Sequence, residues 1–345
     1  MTSEIRNIAI VGGGKMGGSL FHYLTKYDFN LVWVLRSDVE KTRKKYHRKL
    51  KRALKNELIN TEEFDFRMQH HQISDTLQPT IDSDLVIECI REELKAKQEL
   101  MLELSHFLKP NALIASNSSS ILPEKLISST DLKNRTFGLH FFFPLETKIM
   151  VEMVQSDVLS QENSQRVQGF LNKIDKTILI QRKKDAFLLN RLMLRFQALV
   201  YKYTLESDYS FAQIDTVSSK LLFPMGIFEM MDYIGLDLIH QSAKAYLLDQ
   251  NDKSLYQELM NFMESKIQSN HFGICTNQGF YTYPKESDNK IISENQEKEI
   301  IKNLRSIFDD VFIWASSLSG ASKQELEFSI NDYLDTDINE WHKLI

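Results

Sequence analysis

The run Gly12-Gly13-Gly14-Lys15-Met16-Gly17 constrains this chain more than any other feature. It follows residues 5–11, largely β-branched and apolar, and precedes residues 15–27, which can wind as a helix. The weak GxGxxG pattern therefore stands in the strand-turn-helix context that gives it meaning. Gly12 permits the tight turn, Gly14 lets the backbone approach a pyrophosphate, and Gly17 lets the helix pack closely on a sheet. The helix N-terminus adds free amides and partial positive charge, and Met16 joins the expected cofactor-binding set.

Further strands are expected at 31–35, 84–89 and 112–116, with helical apolar spacing over 92–107 between the last two. Strands alternating with helices are the grammar of a parallel sheet. After Lys184 strand signals nearly stop, and 187–205 and 227–248 are long, apolar and rich in Leu, Met and Phe, as buried helices are. The length of 345 residues, at about 150 per domain, gives about two domains. The expected boundary lies at Lys183 to Asp185, dividing residues 1–184 from 185–345. Beyond about residue 285, Ser293 with Gln296 and Ser322 with Glu325 are capping-box spacings, and the first precedes Ile300, Ile301, Leu304, Phe308, Val311 and Phe312. Two amphipathic helices are expected, burying their stripe on the helical domain or on a second subunit.

Charge narrows the function classes. Lys and Arg number 42 against 47 Asp and Glu, a net −5, so there is no global positive field for sequence-independent nucleic-acid binding. The apolar run near the start is too short for a secretory core, and no stretch reaches the roughly 18 apolar residues of a membrane span, so a soluble, cytoplasmic protein is expected. Cys89 and Cys275, neither in a CxxC pair, make neither a disulfide framework nor a four-thiolate site. The histidines, including His70-His71, show no HxxxH or Cys partner pattern, and no metal is expected. At the end of the second strand, where an acid holds the ribose of NAD, the chain reads Val34-Leu35-Arg36-Ser37, and Asp38 comes two residues late. Arg followed by Ser can hold a 2′-phosphate, so both NAD and NADP are open.

Several further blocks agree in order and spacing. They are Val86-Ile87-Glu88 running into Glu92-Glu93-Leu94-Lys95-Ala96-Lys97; Ala115-Ser116-Asn117-Ser118-Ser119-Ser120; Gly138-Leu139-His140-Phe141-Phe142; Val151-Glu152; Asn190-Arg191; Pro224-Met225-Gly226 with Asp232 and Gly235-Leu236-Asp237; and Gly279-Phe280-Tyr281. Through them the chain resembles the 3-hydroxyacyl-CoA dehydrogenase family over roughly residues 5–283, leaving about the last 60 outside the match. The resemblance implies an oxidoreductase of fatty acid metabolism that interconverts 3-hydroxyacyl and 3-ketoacyl thioesters with NAD or NADP, and a homodimer formed through the helical half. It implies that His140 carries the proton, that Glu152 is its carboxylate partner, and that Ser119 and Asn190 are donors near the reacting oxygen, serving both catalysis and substrate binding. It also places Glu92 and Lys97 on the nicotinamide side. The chemistry agrees, because oxidising a secondary alcohol needs a base titrating near neutrality, and imidazole is suited to it. Taken alone, His140 among phenylalanines reads as a core histidine, Ser119 as a turn residue, Asn190 as a helix cap, and Glu92 and Lys97 as surface charges.

Four positions depart from the family pattern: Arg36 for the strand-end acid, Phe143 for an asparagine, Asp185-Ala186 for Pro-Gly, and Cys275 for a lysine. None is in the His140 and Glu152 pair, so altered ligand recognition is expected. That could mean an acyl-carrier protein or small 3-hydroxy acid in place of the family's carrier, or NADPH and the reductive direction. Nine of the fifteen residues 41–55 are Lys or Arg, either a solvated helix face or a dock for a polyanion such as the adenosine phosphates of coenzyme A. Competing readings are a dehydrogenase of a free 3-hydroxy acid, such as a sugar acid or carnitine-like compound, and a non-catalytic nucleotide-binding relative. The expected architecture is an α/β Rossmann-type dinucleotide-binding domain followed by an all-α C-terminal domain, with the active cleft between them.

Overall fold

The computed structural model describes residues 4–127, 132–156, 158–182, 185–221, 225–247, 252–285 and 292–337. Lys183 and Lys184 of the expected boundary, Pro224 of the Pro-Met-Gly block and residue 248 at an expected helix end lie outside the described residues. The chain divides into two compact units, Met1–Ala186 and Phe187–Ile345.

The first unit is built on one eight-stranded sheet. In chain order its elements are β1 (Asn7–Val11), α1 (Lys15–Leu24), β2 (Asn30–Val34), α2 (Val39–Lys55), α3 (Thr61–His70), β3 (His71–Ser74), β4 (Leu85–Glu88), α4 (Leu94–Ser105), β5 (Leu113–Ser116), α5 (Pro123–Leu126), β6 (Thr136–Phe141), β7 (Met150–Val154), α6 (Gln161–Lys173) and β8 (Thr177–Gln181). The strand order is β3-β2-β1-β4-β5-β6-β7-β8, and only the β6–β7 pairing is antiparallel. Alternate residues of β1 point to opposite faces. Ile8 and Ile10 join a core with Leu31, Trp33, Ile87, Phe137 and Phe141, while Ala9 and Val11 join Val86, Ile114 and Met101. Burial on both faces explains why these strands read as continuous apolar runs. The strand order reverses at β1 and β4, the place where open α/β sheets receive ligands.

The second unit is helical: α7 (Leu188–Glu206), α8 (Phe211–Leu221), α9 (Ile227–Ile234), α10 (Leu236–Leu247), α11 (Gln257–Gln268), α12 (Glu294–Leu318) and α13 (Lys323–Leu334). The single helix expected over 227–248 is two. Gly235, at φ +106°, breaks it, a conformation that suits glycine and few other residues. The two tail helices form, each with its capping box closed, at Ser293 with Gln296 and at Ser322 with Glu325. Ile300, Leu304, Phe308, Val311 and Ala315 of α12 are buried, and α12 packs on α7 and α8 of its own unit.

Candidate active site

Period-two strand geometry assembles the central pair. His140 on β6 stands directly opposite Glu152 on β7 in the antiparallel register, the cross-strand position whose side chains meet. His140 Nδ1 lies 2.7 Å from Glu152 Oε2, and both residues are buried. The other carboxylate oxygen, Oε1, accepts a 2.6 Å hydrogen bond from Gln181 Nε2 at the end of β8. Glu152 is thus held at both oxygens, and an ionised carboxylate on Nδ1 selects the tautomer with its proton there. Gln181 is a site residue that sequence reasoning missed; its signal is a lone amide closing the apolar run Ile178-Leu179-Ile180. Phe142 packs edge-on to the imidazole with ring centroids 4.4 Å apart. Phe143, at the family's asparagine position, lies under Lys15 of the glycine loop, whose ammonium is 3.8 Å from the ring centroid.

A second polar cluster joins β4, β5 and α4. The fully buried Lys97 reaches Glu88 Oε1 at 2.6 Å and Glu92 Oε2 at 3.2 Å. Ser116 Oγ donates to Glu88 at 2.6 Å, Ser120 Oγ donates to Glu92 Oε1 at 2.7 Å, and Ser118 Oγ donates to the same Glu92 oxygen. Burial works against the Glu92 charge, but the Lys97 ammonium and the two serine hydroxyls outweigh it and hold the carboxyl below its usual value. The surface-charge reading of Lys97 and the expected helix start both change here. Lys97 is not a surface charge; its ammonium is buried between Glu88 and Glu92. The expected helix over 92–107 starts at Leu94, because Glu92 turns to accept the serine hydrogen bonds. Ser119 is half-buried in the turn after β5, between the two serines that bind Glu92. Asn190 lies in the first turn of α7, in the helical unit.

The glycine loop borders a cavity of about 1080 Å³ at the C-terminal ends of β1 and β2. Gly12, Gly14, Met16 and Arg36 line it, together with Ser37, Asp38, Lys41 and Lys45. Gly12 has φ +139°, and a Cβ there would lie 2.3 Å from the Cys89 carbonyl oxygen. Its own carbonyl accepts a 2.8 Å hydrogen bond from Trp33 Nε1. A Cβ on Gly17 would meet Gly12 O at 2.2 Å, so Gly17 serves packing and does not line the cavity. A Cβ on Gly14 would meet nothing within 4 Å. That open ground in front of an α1 N-terminus with no side-chain cap fits a pyrophosphate. The basic run divides along α2: Tyr46 and Leu50 face the core, Lys41 and Lys45 face the cavity, and most of the other cations face solvent.

The histidine pair reads as structure, with His71 in β3 held 2.5 Å from Tyr46 Oη and pushed by burial down to about 4. Among the described residues no group of His, Cys, Asp or Glu is placed to hold a metal, and no helix is long and apolar enough to cross a membrane. Several blocks in the helical unit also prove to be staples of the fold. Asp232 accepts from the Phe280 and Tyr281 amides at 2.8 and 3.0 Å and from Tyr283 Oη at 3.0 Å. A Cβ on Gly279 would lie 2.0 Å from Asp232 Oδ1. Asp215 accepts from the Phe228 and Glu229 amides, each at 2.9 Å, and from Tyr281 Oη at 2.7 Å.

Residues 7–184 match the family model "3-hydroxyacyl-CoA dehydrogenase, NAD binding domain", and residues 187–283 match "3-hydroxyacyl-CoA dehydrogenase, C-terminal domain". The chain is 27% identical over 288 residues to the mitochondrial hydroxyacyl-coenzyme A dehydrogenase of Sus scrofa, covering 81% of this chain and 91% of that one. It is 28% identical over 295 residues to the 3-hydroxybutyryl-CoA dehydrogenase of Bradyrhizobium diazoefficiens, covering 82% and 97%. The solved (S)-3-hydroxybutyryl-CoA dehydrogenase of Ralstonia eutropha superposes with a TM-score of 0.70 at 26% identity, over 82% of this chain and all of that one.

Proposed function

The chain belongs to the 3-hydroxyacyl-CoA dehydrogenase family of nicotinamide-dependent oxidoreductases, and from that premise we propose that it interconverts a coenzyme A-linked 3-hydroxyacyl thioester and its 3-keto form. The observation that carries the reading is the buried chain from His140 through Glu152 to Gln181. In the oxidative direction the C3 hydroxyl passes its proton to His140 Nε2 as the C3–H bond breaks and the C3 carbonyl forms. Glu152, accepting from Nδ1, orients the ring and stabilises the imidazolium, while Gln181 keeps the carboxylate from turning away. In the reductive direction the same imidazolium returns the proton. Ser119 and Asn190 are donors to the substrate oxygen, and Glu92, braced by Lys97, shapes the nicotinamide side. The bound dinucleotide supplies the acceptor or donor of hydride at its nicotinamide ring.

The cofactor in this reading is the 2′-phosphorylated form. Residues 35–37 hold no carboxylate to take a ribose diol, and Arg36 and Ser37 at the end of β2 line the cavity beside Lys41 and Lys45, where the one neighbouring acid, Asp38, lies 4.0 Å from the Lys41 ammonium. Those lysines are four residues apart on one face of α2. Guanidinium, hydroxyl and two ammonium groups suit a phosphate dianion.

Acetoacetyl-CoA mixed with the protein and reduced dinucleotide tests both parts. Loss of nicotinamide absorbance is expected, faster with NADPH than with NADH. No loss with either overturns the thioester reading, and equal rates and affinities for the two overturn the cofactor reading.

A further inference from the structure

Both ends of the Asn190 amide are occupied by tyrosine hydroxyls. Its Oδ1 accepts from Tyr333 Oη at 2.9 Å, and its Nδ2 donates to Tyr246 Oη at 3.1 Å. Tyr246 belongs to α10, inside the stretch that matches the family model, but Tyr333 is on α13, some fifty residues past the end of that match. The tail helices α12 and α13 both pack on α7, the helix that carries Asn190 in its first turn. Trp314 of α12 lies over the Arg195 and Arg191 guanidinium groups, 4.9 and 5.7 Å from ring centroid to carbon, and Phe308 meets Phe196 edge-on at 5.7 Å. Leu326, Ile330 and Leu334 anchor α13 in the core of the unit, which fixes where the Tyr333 hydroxyl falls.

A carboxamide has two N–H donors and two acceptor sites on oxygen. With one of each engaged by the two tyrosines, the plane of the amide is set, and one N–H and one lone pair are left for a ligand. Without Tyr333 the side chain would be tethered at one end and would rotate about its terminal bond, which has a broad torsional preference.

We propose that Tyr333 is a positioning residue for Asn190, so that the C-terminal tail of this chain is part of its substrate-binding machinery. The proposal rests on the reading above that Asn190 donates to the thioester substrate. Tyr333 acts through Asn190 and does not itself touch substrate.

A double-mutant cycle on the full chain tests it, with acetoacetyl-CoA as the probe and both kcat/KM and calorimetric Kd as readouts, Kd being measurable where turnover is slow. Tyr333→Phe, which removes one oxygen and keeps the ring, is expected to lower kcat/KM and weaken Kd by about threefold to tenfold, the worth of a neutral hydrogen bond. Dinucleotide affinity is expected to stay unchanged, and the melting temperature to fall by no more than about 4 °C. Asn190→Ala is expected to lose more, and the double variant to be no worse than Asn190→Ala alone. Equal losses from Tyr333→Phe in both backgrounds would assign it a structural role and overturn the proposal. So would parent-like behaviour of Tyr333→Phe beside an impaired Asn190→Ala. If Asn190→Ala itself behaves like the parent, the reading of Asn190 fails and the proposal falls with it.

Discussion

The two units place their bonded polar residues differently. In the sheet unit the polar motif residues stand at or near strand ends, His140 close to the end of β6 and Glu92 just past β4, while Arg36, a departure from the family pattern, lies past β2 on the glycine-loop cavity. In the helical unit the motif residues Asp232, Gly279 and Tyr281, joined by Asp215, are consumed by one another. An α/β sheet presents polar groups at the carboxyl ends of its strands, whereas in this helical unit the motif residues staple loops to helices. An equal degree of motif matching therefore carries different functional weight in the two halves.

Four substitutions press on that contrast. The largest effect is expected at His140→Gln, with kcat down about 10²- to 10⁴-fold, the usual worth of a positioned general base, and dinucleotide affinity retained; turnover equal to the parent would remove His140 from the mechanism. Next comes Lys97→Met, which leaves Glu88 buried without its cation and should cost about 3–5 kcal/mol of stability in urea titration. A loss below about 1 kcal/mol would mean that Lys97 is not the brace it resembles. Arg36→Asp should shift the NADPH-over-NADH preference by about 10- to 100-fold, as one to two charge-assisted hydrogen bonds are lost, with calorimetry on both cofactors as the check; an unchanged ratio breaks the phosphate assignment.

The smallest effect belongs to the staples. Burial pushes the Asp215 carboxyl up to about 6, against the pull of the Phe228 amide, the Tyr281 hydroxyl and the Glu229 amide. Because the folded value lies above the unfolded one near 3.8, this group's contribution to stability is fully present below about pH 4 and is lost as pH rises through about 6. Asp215→Asn should abolish that slope while lowering stability overall, as followed by chemical denaturation at several pH values. A slope identical to the parent's would show that another group titrates.

Local signals make β1, the glycine loop and α1 legible in the sequence, since each needs only its neighbours. The strands β6, β7 and β8 are not legible there, because what defines them is pairing across eight or more intervening residues, and residues 136–141 mix Thr, Gly and His with their apolar positions. The His140 and Glu152 partnership can be inferred from resemblance, but Gln181 cannot, since it enters only through the parallel pairing of β7 with β8. Among the consecutive serines 118–120, sequence cannot tell which face Glu92, and the turn decides that Ser118 and Ser120 do. The break at Gly235 is hidden for a simpler reason: a single glycine inside an apolar helical pattern is usually tolerated. Conversely, the two capping boxes of the tail are plain in the sequence, while their destination on α7 is not.

The indole of Trp33 donates its N–H to the Gly12 carbonyl, and its ring borders the glycine-loop cavity. It is the only tryptophan among residues 1–186; Trp314 lies on α12, and Trp341 lies outside the described residues. Ultraviolet emission from this protein thus includes an indole beside the nucleotide loop, and replacing Trp33 by phenylalanine would silence it while Trp314 goes on reporting from α12.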